Sequence, residues 1–192
     1  MAASLPVSDN RQVRTGLTDF DLEWLSAATL TSARADLVAL LQSCVHGGAS
    51  LGFLAPLSDA EAGAYWNSIA SQLETGHRAL LVARDVADGR VVGSGQLAFE
   101  SKPNGRHRAE VNKLMVLPSH RRRGVAARVM RALEDRARER SVWLLVLDTS
   151  EGFSGARALY ESLAYTYVGG IPDFALDPDG RPEKNAIYFK RL

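Results

Sequence analysis

A chain of 192 residues with 46% hydrophobic side chains is long enough for one packed core with at most a short extension. Its 23 basic and 22 acidic side chains leave a formal charge of +1, so no overall field points to nucleic acid or an anionic membrane, and any positive site has to be local. No apolar run approaches the about 18 residues of a membrane span, no basic and apolar leader opens the sequence, and the single cysteine, Cys44, has no internal disulfide partner. A cytoplasmic protein is expected.

Residues 1–21 lack a sustained hydrophobic period and read as a partly ordered N-terminal extension, with a single domain over 22–192. LEWLSAAT, residues 22–29, predicts a first strand. ARADLVALLQSCV, residues 33–45, carries Leu37, Leu40, Leu41 and Val45 at helical spacing before His46, Gly47 and Gly48 stop it. Ser58 and Asp59 are suited to cap a second helix with Tyr65, Ile69 and Leu73 along one face. ALLVARDV, the turn Asp88-Gly89 and RVVGSGQLAFES predict a hairpin, and after the KPNG turn AEVNKLMVL adds a further antiparallel strand.

The organisation changes at Pro118. From Arg122 to about Arg140, Ala126, Val129, Met130, Leu133 and Ala137 form one apolar stripe, with Glu134 among the residues facing elsewhere. VWLLVLD, residues 142–148, suits a strand covered on both faces, which makes strand, helix and strand a parallel crossover. SGARALYESLA then reads as a helix, YTYVGG as a strand, DPDG as a turn and NAIYFKRL as the last strand.

Arg121, Arg122 and Arg123 stand at the start of the crossover helix, where positive side chains oppose the macrodipole by about 0.3–1 kcal/mol each. Free backbone N–H groups at a helix start, with a glycine that admits a ligand to the backbone, form an anion site, and a bound anion offsets the conflict. The run lacks the Gly-Lys-Ser/Thr of a nucleotide triphosphatase, so the expected guest is the phosphate of a cofactor. A solvated basic patch is the plain alternative.

Strand, Val-x-Pro, then Arg121-x-x-Gly124-x-Ala126 resembles the acetyl-CoA loop of the GCN5-related N-acetyltransferase (GNAT) superfamily, and Ala156 to Tyr165 resembles its second signature. The resemblance implies an α/β fold: a mixed, mostly antiparallel sheet of about six to seven strands with about four helices. Its central parallel pair splays at a bulge to hold acetyl-CoA. It further implies that Leu114, Met115 and Val116 pair with the pantetheine arm as a strand would, that Arg121, Arg122, Arg123, Gly124, Val125, Ala126 and Ala127 surround the pyrophosphate, and that Tyr160 lies near the thioester sulfur. Longer segments, among them KPNGRHRAEVNKLMVLPSHRRRG and LAYTYVGGIPDFALDPDGR, resemble a toxin-resistance branch of the superfamily that acetylates a β-lactam amino acid.

Chemistry supplies the catalytic candidates. An aliphatic amine with an ordinary pKa of about 10.4 has to lose a proton before its nitrogen attacks a thioester. By position relative to the arginine loop, Glu110 matches the superfamily's catalytic glutamate, and Asp148 ends the neighbouring strand, at the sheet edge where ligands collect. An outward ion pair is the plain reading for Glu110, a turn residue for Asp148, and a core aromatic for Tyr160. The expected activity is direct acetyl transfer in a ternary complex to a small-molecule amine such as a toxin, an antibiotic or an amino-acid-like compound. An inert acyl-CoA sensor and a protein-amine acetyltransferase are the alternatives. No metal is expected, since the four histidines show no ligand spacing, and neither nucleic acid nor membrane is expected as a partner of the monomer or homodimer. Cys44 reads as core. His46 and its glycines read as a helix stop or an acceptor-pocket wall, and Gly93-Ser-Gly95 as strand rather than a dinucleotide fingerprint. The chain departs from the superfamily pattern at Ala126 for the commoner second glycine, at Phe153 for an asparagine and at Ala164-Tyr165 for Gly-Phe.

Overall fold

The computed structural model describes residues 19–152 and 154–192, so most of the expected N-terminal extension and Phe153 lie outside the described residues. Its last two positions, Phe20 and Asp21, already pair in the first strand. In chain order the elements are β1 (Phe20–Leu25), α1 (Ala27–His46), α2 (Asp59–Glu74), β2 (Arg78–Asp85), β3 (Val91–Phe99), β4 (Arg108–Val116), a 3-10 turn (Pro118–His120), α3 (Val125–Glu139), β5 (Leu144–Ser150), α4 (Ser154–Ser162), β6 (Thr166–Gly169), β7 (Ala175–Leu176), β8 (Pro182–Glu183) and β9 (Asn185–Arg191). Seven strands form one sheet in the order β1-β2-β3-β4-β5-β9-β6, and β7 with β8 makes a separate two-stranded hairpin. Only the β4–β5 pair is parallel among them, as the crossover through α3 predicts.

The first strand ends earlier than the apolar run suggests. Ser26 accepts from the Thr29 N–H at 3.2 Å while the Ser26 N–H donates to Thr29 Oγ1 at 2.8 Å, and this capping box draws Ala27 to Thr29 into α1. Ser58 and Glu61 make the same arrangement for α2. Helices α1 and α2 cover one sheet face, burying Leu37, Leu40, Leu41, Trp66 and Ile69 against Leu80, Val82 and Met115. Each aliphatic side chain buried this way contributes about 1.5–3 kcal/mol. Helix α3 covers the other face with Val125, Val129, Met130, Leu133 and Ala137, joined by Tyr160, Leu163, Tyr165 and Tyr188.

Three expectations are corrected. The arginines precede α3 instead of opening it, because Gly124 is its N-cap with φ +81°. Glu134 is buried, not solvated, and accepts from Lys190 Nζ at 2.7 Å. Strand β5 buries only Leu145 and Leu147 fully, its other face being open toward the site described below. Gly93 and Gly95 are strand residues as expected, and their packing supplies the reason for glycine. A Cβ on Gly93 would meet Val125 Cγ1 at 2.8 Å, and one on Gly95 would meet Val129 Cγ1 at 2.7 Å, so the glycines let α3 approach β3. No helix among the described residues is long and apolar enough to cross a membrane.

Candidate active site

The parallel pairing of β4 with β5 runs over three residues, Arg108↔Leu144, Ala109↔Leu145 and Glu110↔Val146, and then stops. The cause lies on the other edge of β4. Its register with β3 moves from Gln96↔Asn112 to Ser94↔Met115, so β4 carries an extra residue, and Lys113 there has φ +50°. A bulge of this kind bends its strand. Beyond Glu110 the two strands separate and two connected clefts open between them.

The larger cleft, about 620 Å³, runs from Tyr160 and Leu114 along Met115 and Val116 to the turn before α3. It is lined by Arg121, Arg122, Gly124, Val125, Ala126 and Ala127, together with His120 and Cys44. The first helical hydrogen bond of α3 is from Arg128 N–H to Gly124 O at 3.1 Å, and Gly124 offers no side-chain cap, so the N–H groups of Val125, Ala126 and Ala127 have no intrahelical acceptor. Gly124 is needed for its positive φ, since a Cβ there would meet nothing within 4 Å. These features fit a phosphate group at one end and an extended amide-bearing arm along the free edge of β4.

Arg123 is the one predicted cofactor residue outside this lining. Its guanidinium turns to the Asp19 carboxylate at 2.6 Å, a partner near the chain's N-terminal end that the local pattern gave no sign of. His120 holds the turn through Nε2 and Asp85 Oδ2 at 3.0 Å. The Cys44 thiol, in the α1–α2 core, donates to the Val116 carbonyl at 3.6 Å, and burial pushes its pKa up.

The smaller cleft, about 260 Å³, contains Glu110, Asp148 and Tyr160 together. Asp148 shares a face of the sheet with Val146, which stands opposite Glu110, so both carboxylates lie on that face. Glu110 reaches solvent at the cleft mouth, yet the protein around it desolvates its carboxyl and Asp148 adds like-charge repulsion; both raise its pKa. Tyr160 lines both clefts from α4 and is 6% exposed, with its ring 5.5 Å from Tyr188 and 5.9 Å from Tyr165. Burial, then the Asp148 charge, pushes its phenol far above the ordinary value, so it stays protonated.

Several lining residues had no site role assigned from the sequence. Ser50, Leu51 and Gly52 come from the α1–α2 connection, and Phe174, Ala175, Glu183 and Lys184 come from the β7–β8 hairpin. That hairpin is tied down by Pro178 O, which accepts from Ala55 N–H at 2.8 Å, and by Lys184 Nζ donating to Glu151 at 2.9 Å. His46 lies outside both clefts and serves as a helix-end acceptor, taking the Leu57 N–H on Nε2 at 3.0 Å. No group of three or more potential metal ligands gathers among the described residues.

The sheet is splayed at its parallel pair, with a helix start at one end of the gap and acid groups at the other. The chain matches the Acetyltransferase (GNAT) family over residues 49–165, and it belongs to that family. It is similar to an uncharacterized N-acetyltransferase of Bacillus subtilis, YsnE, with 34% identity over 72 residues, 36% of this chain and 48% of that one. The chain thus spans about half the length of that curated relative. Among solved structures it is similar to a ribosomal-protein-alanine N-acetyltransferase from Brucella melitensis, with TM-score 0.72, 23% identity, and 89% of this chain and 99% of that one covered. It is also similar to yncA, a putative acetyltransferase from Salmonella typhimurium solved with its cofactor acetyl-CoA, with TM-score 0.69, 16% identity, and 91% and 95% coverage. These likenesses concern the fold.

Proposed function

We propose that the protein transfers an acetyl group from acetyl-CoA to the amine of a small molecule, directly and within a ternary complex. The observation that carries this reading is the junction of the two clefts at Tyr160: phosphate-binding features lie along one arm, and a pair of carboxylates lies in the other. Acetyl-CoA supplies the thioester carbon at which the new C–N bond forms and the C–S bond breaks. Its pyrophosphate would be held by Arg121, Arg122 and the N–H groups of Val125 to Ala127, with Gly124 providing the turn, and its pantetheine arm by the open edge at Leu114 to Val116. Glu110 or Asp148, directly or through water, accepts one proton of the ammonium, the second leaves the nitrogen for solvent as the amide forms, and Tyr160 donates a hydrogen bond or proton to the departing sulfur, any proton given being regained from solvent.

The volume of the smaller cleft, about 260 Å³, and the hairpin across it favour a small acceptor over a protein chain. A β-lactam amino-acid toxin of the tabtoxin type is one candidate, on the likeness of the segments around the arginine loop and β6. The proposed setting is cytoplasmic, as a monomer or homodimer, with neither nucleic acid nor membrane as partner. Calorimetric titration with acetyl-CoA followed by CoA-thiol release over an amine panel tests the proposal. Binding with thiol release is expected. Binding without release by any acceptor would favour an acyl-CoA sensor, and no binding would overturn the reading.

A further inference from the structure

The lining of the smaller cleft carries both signs of charge. Glu110 and Asp148 share it with Lys113, and both carboxylates act on the ammonium through space without touching it. A lysine ammonium drawn this far from solvent ordinarily has a carboxylate beside it. Lys113 forms no ion pair among the described residues; its Nζ lies 5.7 Å from the centre of the Phe53 ring and 5.5 Å from that of Tyr65. Two ring faces attract an ammonium and do nothing comparable for a neutral amine, which offsets part of the desolvation that, with the Arg78 charge, lowers the Lys113 pKa. The bulge that splays the strands holds the ammonium in place, with Lys113 itself at φ +50°, a conformation that costs a side-chain-bearing residue and collects at functional sites.

Asn185, on β9, adds an independent observation. It is 4% exposed, and its Oδ1 accepts the Ile171 N–H at 2.8 Å, which fixes the orientation of the amide. Its Nδ2 is then buried without an acceptor, and so is Nδ2 of Asn112, the residue before Lys113. Both asparagines line the same cleft as Lys113. Buried donors left unmatched are rare and costly, and three donor groups around one small space call for an anion.

We propose that the acceptor amine carries a carboxylate on the same small skeleton, held by Lys113 Nζ with the Asn185 and Asn112 amide N–H groups, while its amine faces Glu110 and Asp148. The assignment rests on the acetyl-transfer reading and narrows it to amino acids and compounds built like them. A neutral or purely cationic amine leaves all three donors unmatched, and burying them beneath it lowers its affinity.

The test uses the full chain, with the proteinogenic L-amino acids, their methyl esters and their decarboxylated amines as probes, after calorimetry with acetyl-CoA. The best acid is expected to exceed its own ester and amine by about tenfold or more in kcat/KM, the scale of one charge-assisted contact. The ester's less basic amine works against this result and cancels when variants are compared with the wild type. Lys113→Met is expected to lower the acid-to-ester ratio by about tenfold through KM. Asn185→Asp keeps the acceptor for Ile171 N–H and replaces the free donor by an anion, so it is expected to lower the same ratio even if Lys113→Met folds poorly. Absent acetyl-CoA binding would overturn the transfer reading and this assignment with it. Binding with esters or amines preferred, with no acid acetylated, or with the ratio unmoved by both variants, would overturn the carboxylate assignment alone.

Discussion

Glu110 and Asp148 stand on adjacent parallel strands at the point where pairing ends, Glu110 opposite Val146 and Asp148 two residues further along β5 on the same face. Desolvation is the larger reason for the raised Glu110 pKa and the Asp148 charge the second. A base acts when deprotonated, so kcat/KM is expected to rise with pH through a limb lying above the ordinary carboxylate range. Asp148→Asn removes the repulsion and is expected to move that limb to lower pH, though only part of the way, since burial remains. A pH–rate profile of each variant checks this. Glu110→Gln is expected to lower kcat by about 100-fold or more while acetyl-CoA affinity changes little. Wild-type rates in Glu110→Gln would remove it from the mechanism.

Tyr160 is expected to matter through its oxygen alone. Its ring packs on Tyr165 and Tyr188, contacts a phenylalanine preserves. Tyr160→Phe is therefore expected to melt close to the wild type while kcat drops by about tenfold to 100-fold, with the acetyl-CoA dissociation constant nearly constant. Because its phenol is pushed well above the ordinary value, no alkaline limb from Tyr160 is expected below about pH 10. Calorimetry, thermal melts and steady-state rates separate these outcomes.

The three arginines are expected to behave unequally. Arg121 and Arg122 line the larger cleft, whereas Arg123 is engaged by Asp19 at 2.6 Å. Arg121→Ala and Arg122→Ala are each expected to weaken acetyl-CoA binding by about tenfold at low salt, with the difference shrinking as salt rises. Arg123→Ala is expected to cost several-fold less. Equal losses in all three would point to a diffuse basic patch instead.

This inequality marks the limit of what local pattern reveals. The hairpin of β2 and β3 and the crossover through α3 were legible, because each rests on periodicity or turn chemistry within some tens of residues, and the three candidates Glu110, Asp148 and Tyr160 meet in one cleft. The engagement of Arg123 by Asp19 was not legible, because that partner is distant in sequence and adjacent charges look alike until a fold separates them. The helical period places Glu134 off the apolar stripe and says no more, while Lys190, at the far end of the chain, decides whether a carboxylate there can be buried. Lys113 is legible only as a possible ion-pair partner of Glu110, since a bulge breaks the strand pattern that holds it, and Asn185 sits unmarked at a strand end. The smaller cleft draws its remaining walls from the α1–α2 connection, β9 and the small hairpin, segments whose juxtaposition only the tertiary structure supplies.

The departure at Ala164-Tyr165 gives a prediction about stability. Helix α4 closes with Tyr165 N–H bonded to Tyr160 O at 2.9 Å and Ala164 N–H to Glu161 O at 3.0 Å, a pairing that puts Ala164 in the left-handed region at φ +60°. The same closure ends α3, where Val142 N–H meets Ala137 O at 2.9 Å, Ser141 N–H meets Arg138 O at 2.9 Å, and Ser141 has φ +58°. Both residues are exposed, so neither side chain gains from burial. Glycine relieves about 1–2 kcal/mol of backbone strain at such a position and gives back about 0.4–1 kcal/mol by loosening the unfolded chain. Ala164→Gly and Ser141→Gly are therefore each expected to stabilise by about 0.5–1 kcal/mol, raising Tm by about 1–4 °C in a domain of this size. The two sites cap different helices, so their effects are expected to add. Thermal melts of the single and double variants decide it, and a fall in Tm at Ala164 would mean that the closure holding Tyr160 draws on the methyl group in a way the backbone geometry does not account for.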